Sequence, residues 1–492
     1  MADRPNVLLV TTDHWPAALL GCAGHPVIRT PTLDTLARSG VRFTNAYSEC
    51  PVCIPARRTL MTGTTPRTHG DRVFKTDEPM PALPTLAQTF RDAGYQAYAV
   101  GKLHVIPQRD RIGFDDVILA EEGRPQLGAI DDYELWLGER GLPGQSFAHG
   151  MSNNDYTWRP WHLDEQSHVT TWATQQMSRM IRRRDPTRPG FWYLSYCHPH
   201  PPLVPLQAYL DLYRELAMDD PIHGAWTLDD AAQPYALQAV RAAWDNLSDA
   251  EIRRVRRAFY ALCTHIDHQL RVVIGTLREE MLLDNTIILF TADHGDMLGN
   301  HGLWAKRLFY ENAANVPMLL LGAAGDARTP AGTVDARLVG WQDVMPTLLD
   351  LADIDAPATV DGISMVGAAR REYLYGEIGE DASATRMIRA GDYKLIYYPV
   401  GNHTQLFDIA HDPQELIDLA ASPAHQDVCA DLTAKLVGEL YGGDLAWLED
   451  GALVGLPDRA YTPRGNRGLS GNRGIHWPPP PLDQSGRVVG AP

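Results

Sequence analysis

The sequence predicts an α/β protein with a largely parallel β-sheet between layers of helices, followed by a smaller α+β unit. Short apolar runs, typical of buried strands, alternate with helical stretches over roughly the first 365 residues. The later apolar runs are closely spaced, which indicates a small antiparallel sheet. A chain of 492 residues with 44% hydrophobic content is long enough for one large core and a second, smaller one.

Four apolar runs are the clearest buried strands of the first unit. They are residues 7–10, 96–100, 191–196 and 286–290. Residues 250–281 carry apolar side chains at intervals of three and four, which predicts one long helix. Three polar side chains on that helix, His265, Asp267 and His268, are interpreted as structural or solvated, since nothing near them in sequence completes a site.

Composition divides the chain into three parts. Gly and Pro are dense around residues 356–367, which predicts a boundary between a unit of residues 1–365 and one of residues 366–450. The second unit contains predicted strands at 373–375, 394–398 and 405–408, and a predicted helix at 426–440. Residues 451–492 are rich in Pro, Gly and Arg and cannot form a core by themselves, so we expect them to dock on a protein surface.

Charge and hydropathy exclude several classes of protein. The formal charge of −17 disfavours nucleic acid and anionic membranes as partners. No run approaches the ~20 apolar residues of a membrane span, and the N-terminal run is read as a strand rather than a leader peptide. Six unclustered cysteines suggest a reducing compartment, so we expect a cytoplasmic protein.

The most informative stretch is Cys53-Ile54-Pro55-Ala56-Arg57, which continues to Thr62-Gly63. Pro55 suits the first turn of a helix and Gly63 suits the position after its end. Cys53 then lies at a helix N-terminus, where free N–H groups favour an anion. Two alternatives are a zinc or redox pair with Cys50 and a merely buried cysteine, but no second Cys-x-x-Cys pair completes a zinc site.

This Cys-x-Pro-x-Arg frame resembles the signature of the type I sulfatases, and the resemblance extends over residues 6–440. It implies an alkaline-phosphatase-like fold and conversion of Cys53 to Cα-formylglycine by a formylglycine-generating maturation enzyme. The hydrated aldehyde is a geminal diol, which provides an oxygen nucleophile. A sulfate ester of serine would need a second attack, by water, at sulfur. The sulfate ester of the diol instead releases sulfate by breaking its own C–O bond, which restores the aldehyde.

A divalent metal site is predicted from two strand ends. Asp13 follows the first predicted strand, and Asp293 and His294 follow the strand at 286–290. The carboxyl ends of parallel strands meet at one edge of a sheet, so these groups can join residue 53 around one ion. His14 and His294 stand where many sulfatases have Asp and Asn, and the Asp-His pair is like that of choline-sulfatase-like enzymes and phosphonate monoester hydrolases. The ion is Ca²⁺, Mn²⁺ or Zn²⁺, and an imidazole ligand favours the last two.

Cationic and imidazole groups complete the candidate site, because an anionic ester needs local positive charge in an acidic protein. By resemblance, Lys102 contacts the nucleophile and the sulfate, and His104 deprotonates the second hydroxyl of the diol. His200 contacts the ester oxygen, with His198 as an alternative, and Lys306 stabilises the leaving group. Arg57, four residues after Cys53 and therefore on the same helical face, is expected to brace the formylglycine.

The resemblance implies hydrolysis of small anionic sulfate monoesters, in the manner of an arylsulfatase, through a covalent sulfated intermediate. Phosphonate monoester or phosphodiester hydrolysis by the same residues is the main alternative, and a non-catalytic anion-binding protein is a second. Related enzymes form dimers or tetramers through C-terminal extensions, so we expect a homo-oligomer in which residues 451–492 cross to a neighbouring subunit near its active-site mouth.

Overall fold

The computed structural model describes residues 4–122, 130–151, 154–228, 233–244 and 247–462. Its central sheet has eight strands in these ranges, in the order β4-β3-β5-β1-β6-β7-β2-β8. The strands are β1 Asn6–Thr12, β2 Val41–Tyr47, β3 Gln96–Gly101, β4 Asp116–Leu119, β5 Gly190–Tyr196, β6 Thr286–Ala292, β7 Met318–Leu321 and β8 Thr333–Gly340. Among the described strands of this sheet, only β7 runs antiparallel to both of its neighbours, β6 and β2. The predicted α/β class and largely parallel sheet are confirmed.

Twelve α-helices accompany the strands in the described residues. They are α1 Pro31–Ser39, α2 Cys53–Thr62, α3 Pro66–His69, α4 Leu86–Asp92, α5 Asp132–Glu139, α6 Val169–Arg182, α7 Gln207–Asp211, α8 Tyr235–Arg241, α9 Asp249–Glu279, α10 Glu311–Ala314, α11 Val344–Leu351 and α12 Gln426–Glu439. Helix α9 is contacted by α1, α6 and α7, whereas α2 packs against α4 and α11. Every residue of β1, β5 and β6 is buried, as expected for strands covered on both faces.

The predicted long helix is α9, and it begins at a capping box. The Ser248 hydroxyl accepts from the Glu251 amide while the Glu251 carboxylate accepts from the Ser248 amide. Asp267 accepts the amides of Thr32 and Leu33 at 3.0 and 2.8 Å, so it caps the start of α1. The interpretation of Asp267 as structural is therefore supported by its contacts.

A second, antiparallel sheet follows, in the order β12-β11-β10-β9. Its strands are β9 Tyr373–Ile378, β10 Thr385–Ala390, β11 Tyr393–Tyr398 and β12 His403–Asp408. Strands β9, β11 and β12 were predicted from the sequence, whereas β10 was not. Apolar residues of α12 pack on this sheet to form a core of their own, and a short hairpin of β13 Leu448–Glu449 and β14 Ala452–Leu453 ends the element order.

Buried ion pairs join the two units. Asp444 accepts bonds from Arg72 at 2.8 Å and from Arg386 at 2.8 Å. Lys394 on β11 pairs with Glu415 at 2.7 Å and with Glu311 at 2.6 Å, the latter on α10 beside the central sheet. Within the described ranges, no helix is long and apolar enough to cross a membrane.

Candidate active site

The active-site helix α2 begins at Cys53 as the sequence predicts. Val52 before it is extended, and Gly63 after it takes a left-handed conformation (φ 66°) while donating to the Thr59 carbonyl at 2.9 Å. Pro55 lies in the first turn, where its missing N–H costs nothing. All ten residues of α2 are buried, so the Cys53 side chain is held at a desolvated helix N-terminus.

Two ammonium groups favour an anion at residue 53. Burial and the nearby Asp13 carboxylate oppose ionisation of the Cys53 thiol, yet Lys306 and Lys102 together lower its pKa below the usual value. The Lys306 Nζ atom lies 2.8 Å from Cys53 Sγ. The side chain at position 53 is therefore electrostatically prepared to carry negative charge.

The predicted metal ligands converge. One ligand atom from each of Asp13, Cys53, Asp293 and His294 lies within 4.8 Å of every other, and all four residues are buried. His294 Nε2 is 3.4 Å from Cys53 Sγ and 3.3 Å from Asp13 Oδ1. The other ring nitrogen, Nδ1, lies 2.9 Å from the Gly295 carbonyl, which can only accept, so Nδ1 carries the proton. In the neutral ring Nε2 then offers its lone pair to the cluster, as a metal ligand must.

Arg57 acts on this cluster rather than on residue 53 alone. Its Nε donates to Asp293 Oδ2 at 3.1 Å, and its Nη1 donates to the Lys102 carbonyl and to Ser195 Oγ. Its Nη2 is buried, lies 3.9 Å from Asp13 Oδ2 and has no hydrogen-bond partner in the part of the chain that the structure describes. A buried donor in this position is available to an incoming oxygen.

Lys102 balances the carboxylates. Its Nζ donates to Asp13 and to Glu122, and it is fully buried. Burial alone would lower the pKa of Lys102, but Asp13 and Glu122 raise it above its usual value. Burial likewise opposes the ionised form of Asp13, while Lys102 and Lys306 hold its pKa well below the usual range. Both groups are therefore charged at neutral pH.

The histidine after β5 that enters the site is His200. Its ring centroid is 4.4 Å from that of His14, its Nδ1 donates to the Pro201 carbonyl at 2.7 Å, and its buried Nε2 has no hydrogen-bond partner among the described residues. Burial lowers the pKa of His200 to about 3, so its imidazole is neutral. The His198 ring lies against His168 instead, at 5.2 Å. The geometry thus favours His200 for contact with substrate.

His104 shares the loop of Lys102. Its amide donates to the Glu121 carboxylate at 3.0 Å, its backbone is left-handed (φ 58°), and its ring lies edge-on to Phe74 at 5.7 Å. The side chain is buried. Its role in proton removal stays a prediction.

Sequence reasoning missed two carboxylates of the site. Glu122 follows β4, and Asp296 lies three residues after Asp293 and binds His14 Nδ1 at 2.6 Å. The strand-end argument that found Asp13 applies equally to Glu122, because β4 is parallel to β3. The sequence signal for Glu122 was weak because the strand before it, β4, is only four residues long.

Two cavities adjoin these residues. One of about 60 Å³ is mainly apolar and lies beside His200; its lining includes Tyr133, Phe147, Trp161, Pro201 and Pro202. The other, of about 300 Å³, is lined by Val52 and Arg307, the chain neighbours of residues 53 and 306, and its lining also includes Phe74, Trp244 and Tyr461. Tyr461 is the last aromatic residue that the structure describes.

The α/β fold and the buried cluster of carboxylate, imidazole and ammonium groups suit an enzyme that hydrolyses an anionic ester. Residues 5–354 match the family model described as Sulfatase, and residues 299–440 match the model described as N-sulphoglucosamine sulphohydrolase, C-terminal. The chain therefore belongs to the sulfatase family and is a sulfuric ester hydrolase, as the sequence resemblance predicted.

Similar proteins agree on family and fold. An arylsulfatase of Clostridium perfringens is 32% identical, over 92% of this chain and 97% of the relative. A choline-sulfatase of Rhizobium meliloti is also 32% identical, over 88% of this chain and 85% of the relative. The crystal structure of a phosphonate monoester hydrolase of Agrobacterium radiobacter has a TM-score of 0.74, covering 91% of this chain and 98% of that one, and at 23% identity this is a likeness of fold.

Proposed function

We propose that the protein hydrolyses sulfate monoesters in the manner of an arylsulfatase, with residue 53 in the formylglycine form. The observation that carries this is the convergence of Lys306 and Lys102 with the carboxylate–imidazole cluster on Cys53 at the N-terminus of α2. In this reading Cys53 Sγ stands for a diol oxygen. A maturation enzyme that oxidises the cysteine is the partner that this proposal requires.

The donor set at residue 53 fits a divalent cation. Asp13, Asp293 and His294 would hold it together with residue 53, and bound Ca²⁺, Mn²⁺ or Zn²⁺ would supply a Lewis acid that polarises the reacting oxygens. The imidazole favours Mn²⁺ or Zn²⁺ over Ca²⁺.

Each lysine, histidine and arginine of the site has a separate role in this proposal. Lys102 and Lys306 flank residue 53, and Lys102 would bind the sulfuryl oxygens, replacing lost hydration with fixed positive charge. Neutral His200, with its open Nε2, would contact the ester oxygen, and Lys306 would stabilise the departing oxygen. His104 would take the proton of the second hydroxyl before inorganic sulfate leaves. Arg57 fixes Asp293 throughout.

The cavity beside His200 supports an aromatic alcohol group. Most of its exposed lining surface is apolar and comes from aromatic rings and prolines, although Glu122, Glu134, Ser146 and three histidines also line it. An aryl group placed there would keep its ester oxygen near His200. This favours aryl sulfates over carbohydrate sulfates.

Phosphonate monoester hydrolysis is the second candidate. The observation in its favour is the Asp293–His294 pair, which is like that of the phosphonate monoester hydrolases, whose fold the chain shares. A tetrahedral phosphonate of similar size fits the same cations. Lys102 and His104 favour sulfate.

One kinetic comparison tests the proposal. A single preparation with measured metal and formylglycine content is assayed with an aryl sulfate, choline sulfate and a phenyl phosphonate monoester. We expect the highest kcat/KM with the aryl sulfate. The variant Lys102→Ala should lower kcat/KM for the aryl sulfate more than it lowers the values for the other two esters. A higher kcat/KM for the phosphonate would instead assign the second candidate function, and one for choline sulfate would contradict the aryl-binding cavity.

A further inference from the structure

The carboxylate of Asp296 is surrounded by hydrogen-bond donors. Its Oδ1 accepts the amides of Leu298 and Ala305 at 2.9 and 3.1 Å. Its Oδ2 accepts the Tyr156 hydroxyl and faces His14 Nδ1 at 2.6 Å. Asp296 is fully buried, so no water substitutes for these partners.

These contacts decide which nitrogen of His14 carries the proton. An ionised carboxylate can only accept, so His14 Nδ1 must donate to Asp296. The neutral ring then has a lone pair at Nε2, which lies 2.7 Å from Lys306 Nζ. Lys306 in turn lies 2.8 Å from Cys53 Sγ. The order of contacts is thus Asp296, His14, Lys306 and residue 53.

We propose that His14 and Asp296 are positioning residues that hold the Lys306 ammonium against residue 53 and the ester. The proposal rests on the sulfatase function proposed above and assigns no contact between His14 and substrate. One N–H of Lys306 is fixed by His14, which leaves the other two for residue 53 and for the oxygen that keeps the electron pair when the S–O bond breaks. That oxygen leaves as an alkoxide or phenoxide and takes its proton from water.

A neutral acceptor suits this task better than a carboxylate. A free lysine side chain samples many rotamers, and Asp13 is a competing partner close by. An acceptor at position 14 orders the ammonium before substrate arrives, which is the benefit of preorganisation. Because imidazole adds no negative charge, Lys306 keeps its full attraction for the anionic ester.

Asp296→Asn tests the tautomer directly. The asparagine oxygen must stay with the Leu298 and Ala305 amides, so its NH₂ group would face His14 Nδ1. His14 would then accept at Nδ1 and carry its proton at Nε2, pointing it at Lys306. We expect kcat for the aryl sulfate to fall by roughly 10²-fold with metal content retained, which is less than the ~10⁴-fold cost of a reversed tautomer where the histidine itself moves the proton.

His14→Gln provides the matched variant, since its amide oxygen can accept from Lys306 without help from Asp296. We expect only a roughly tenfold loss, as for a hydrogen bond remade with poorer geometry. The double variant His14→Gln/Asp296→Asn should equal His14→Gln and so be faster than Asp296→Asn alone. A double variant slower than both single variants, by the product of their losses, would overturn the proposal. Loss of metal in His14→Gln would do the same, because it would place His14 among the metal ligands.

Crystal structures separate this inference from the proposed function. If the wild-type enzyme hydrolyses none of the three esters, the proposed function fails on its own. The position of Lys306 Nζ in wild-type and Asp296→Asn crystals still tests the inference. We expect Nζ to move away from residue 53 in the variant, and an unchanged position would contradict the proposal.

Discussion

At the scale of single residues, the proposed function depends most on Cys53. The N-terminus of α2 and two ammonium groups favour an anion there, but a thiolate cannot form the diol on which the proposed release of sulfate depends. We expect mass spectrometry of the peptide spanning Cys53 to find formylglycine in active protein. Cys53→Ala should lower kcat by on the order of 10⁴-fold or more, as for other covalent nucleophiles. Cys50→Ala, a buried cysteine three residues upstream, is the control and should remain active.

His294 is the residue that best tests the metal site. Its Nε2 faces Asp13 and residue 53, so His294→Ala should lower metal occupancy and reaction rate together. Elemental analysis before and after dialysis against a chelator measures the occupancy. His265→Ala is the matched control, since this equally buried histidine bonds Thr171 away from the cluster. Full metal content in His294→Ala would remove His294 from the ligand set.

Residues that follow strands were predictable because a parallel sheet gathers the carboxyl ends of its strands. This argument needs only sequence order, and it placed Asp13 and Asp293 together, as the structure has them; Lys102 and His200, which were assigned by resemblance, also follow strands of this sheet. Asp296 escaped it because its role depends on a loop that folds back so that Ala305 donates to it. Side-chain hydrogen bonds across such loops have no periodic signal in sequence.

At the scale of elements, the strands of the first unit that were predicted from sequence are those in which all or nearly all residues are buried, such as β1 and β6. Strand β8 was missed because its pattern alternates between partly buried and exposed residues, including the exposed Val334. Strand β10 was missed because its six residues include two arginines. Arg386 is nevertheless fully buried, since Asp444 neutralises it. Long-range charge pairing of this kind overrides local pattern.

Glu49 is a pH-sensitive contact between elements. It follows β2, and its carboxylate accepts the amides of Trp341 and Gln342 in the turn after β8, both at 3.1 Å. Burial, and then the nearby Asp343, raise the pKa of Glu49 to about 7. A raised native pKa means that the folded state binds the proton more tightly than the unfolded state, so stability is lost as pH rises from about 4.5 through 7.

Glu49→Gln should remove that dependence. The loss in the wild type amounts to up to roughly 3 kcal/mol for a shift of this size. We therefore expect the difference in thermal midpoint between variant and wild type to change in favour of the variant between pH 5 and 8. A constant offset from the lost amide bond does not affect this slope. A difference that is flat across the range would show that Glu49 does not titrate there.

At the scale of the whole molecule, Asp444 holds the C-terminal unit to the catalytic unit. It accepts from Arg72 of the first unit and Arg386 of the second, and it is buried. Asp444→Ala would leave two buried guanidinium groups without this partner, so we expect a loss of roughly 3–5 kcal/mol in unfolding free energy by urea denaturation. Asp431→Ala is the control, because its pair with Lys435 is exposed and should be worth less than about 1 kcal/mol.

We predict that the C-terminal segment, residues 451–492, governs assembly of the protein. Its described part stays on its own chain: Leu456 pairs with Pro399 and Gly401, and Tyr461 packs on Tyr235 beside the larger cavity. The apolar residues Leu469, Ile475 and Trp477 and the arginines at 464, 467 and 473 lie outside the described residues. We propose that this remainder docks on a neighbouring subunit of a homo-oligomer near its active-site mouth, since its sequence is too apolar for a pure linker and too rich in Gly and Pro to fold alone.

Truncation after Thr462 tests this while sparing the packed residues. We expect a smaller species by light scattering and a higher KM, because positive potential at the mouth would be lost. Replacing Arg464, Arg467 and Arg473 by Gln keeps the length of the segment and should leave assembly unchanged while removing the salt dependence of substrate capture. A truncated protein with unchanged mass in solution and unchanged kinetics would show that the segment takes no part in assembly, and salt dependence that survives in the arginine variant would place the steering charge elsewhere.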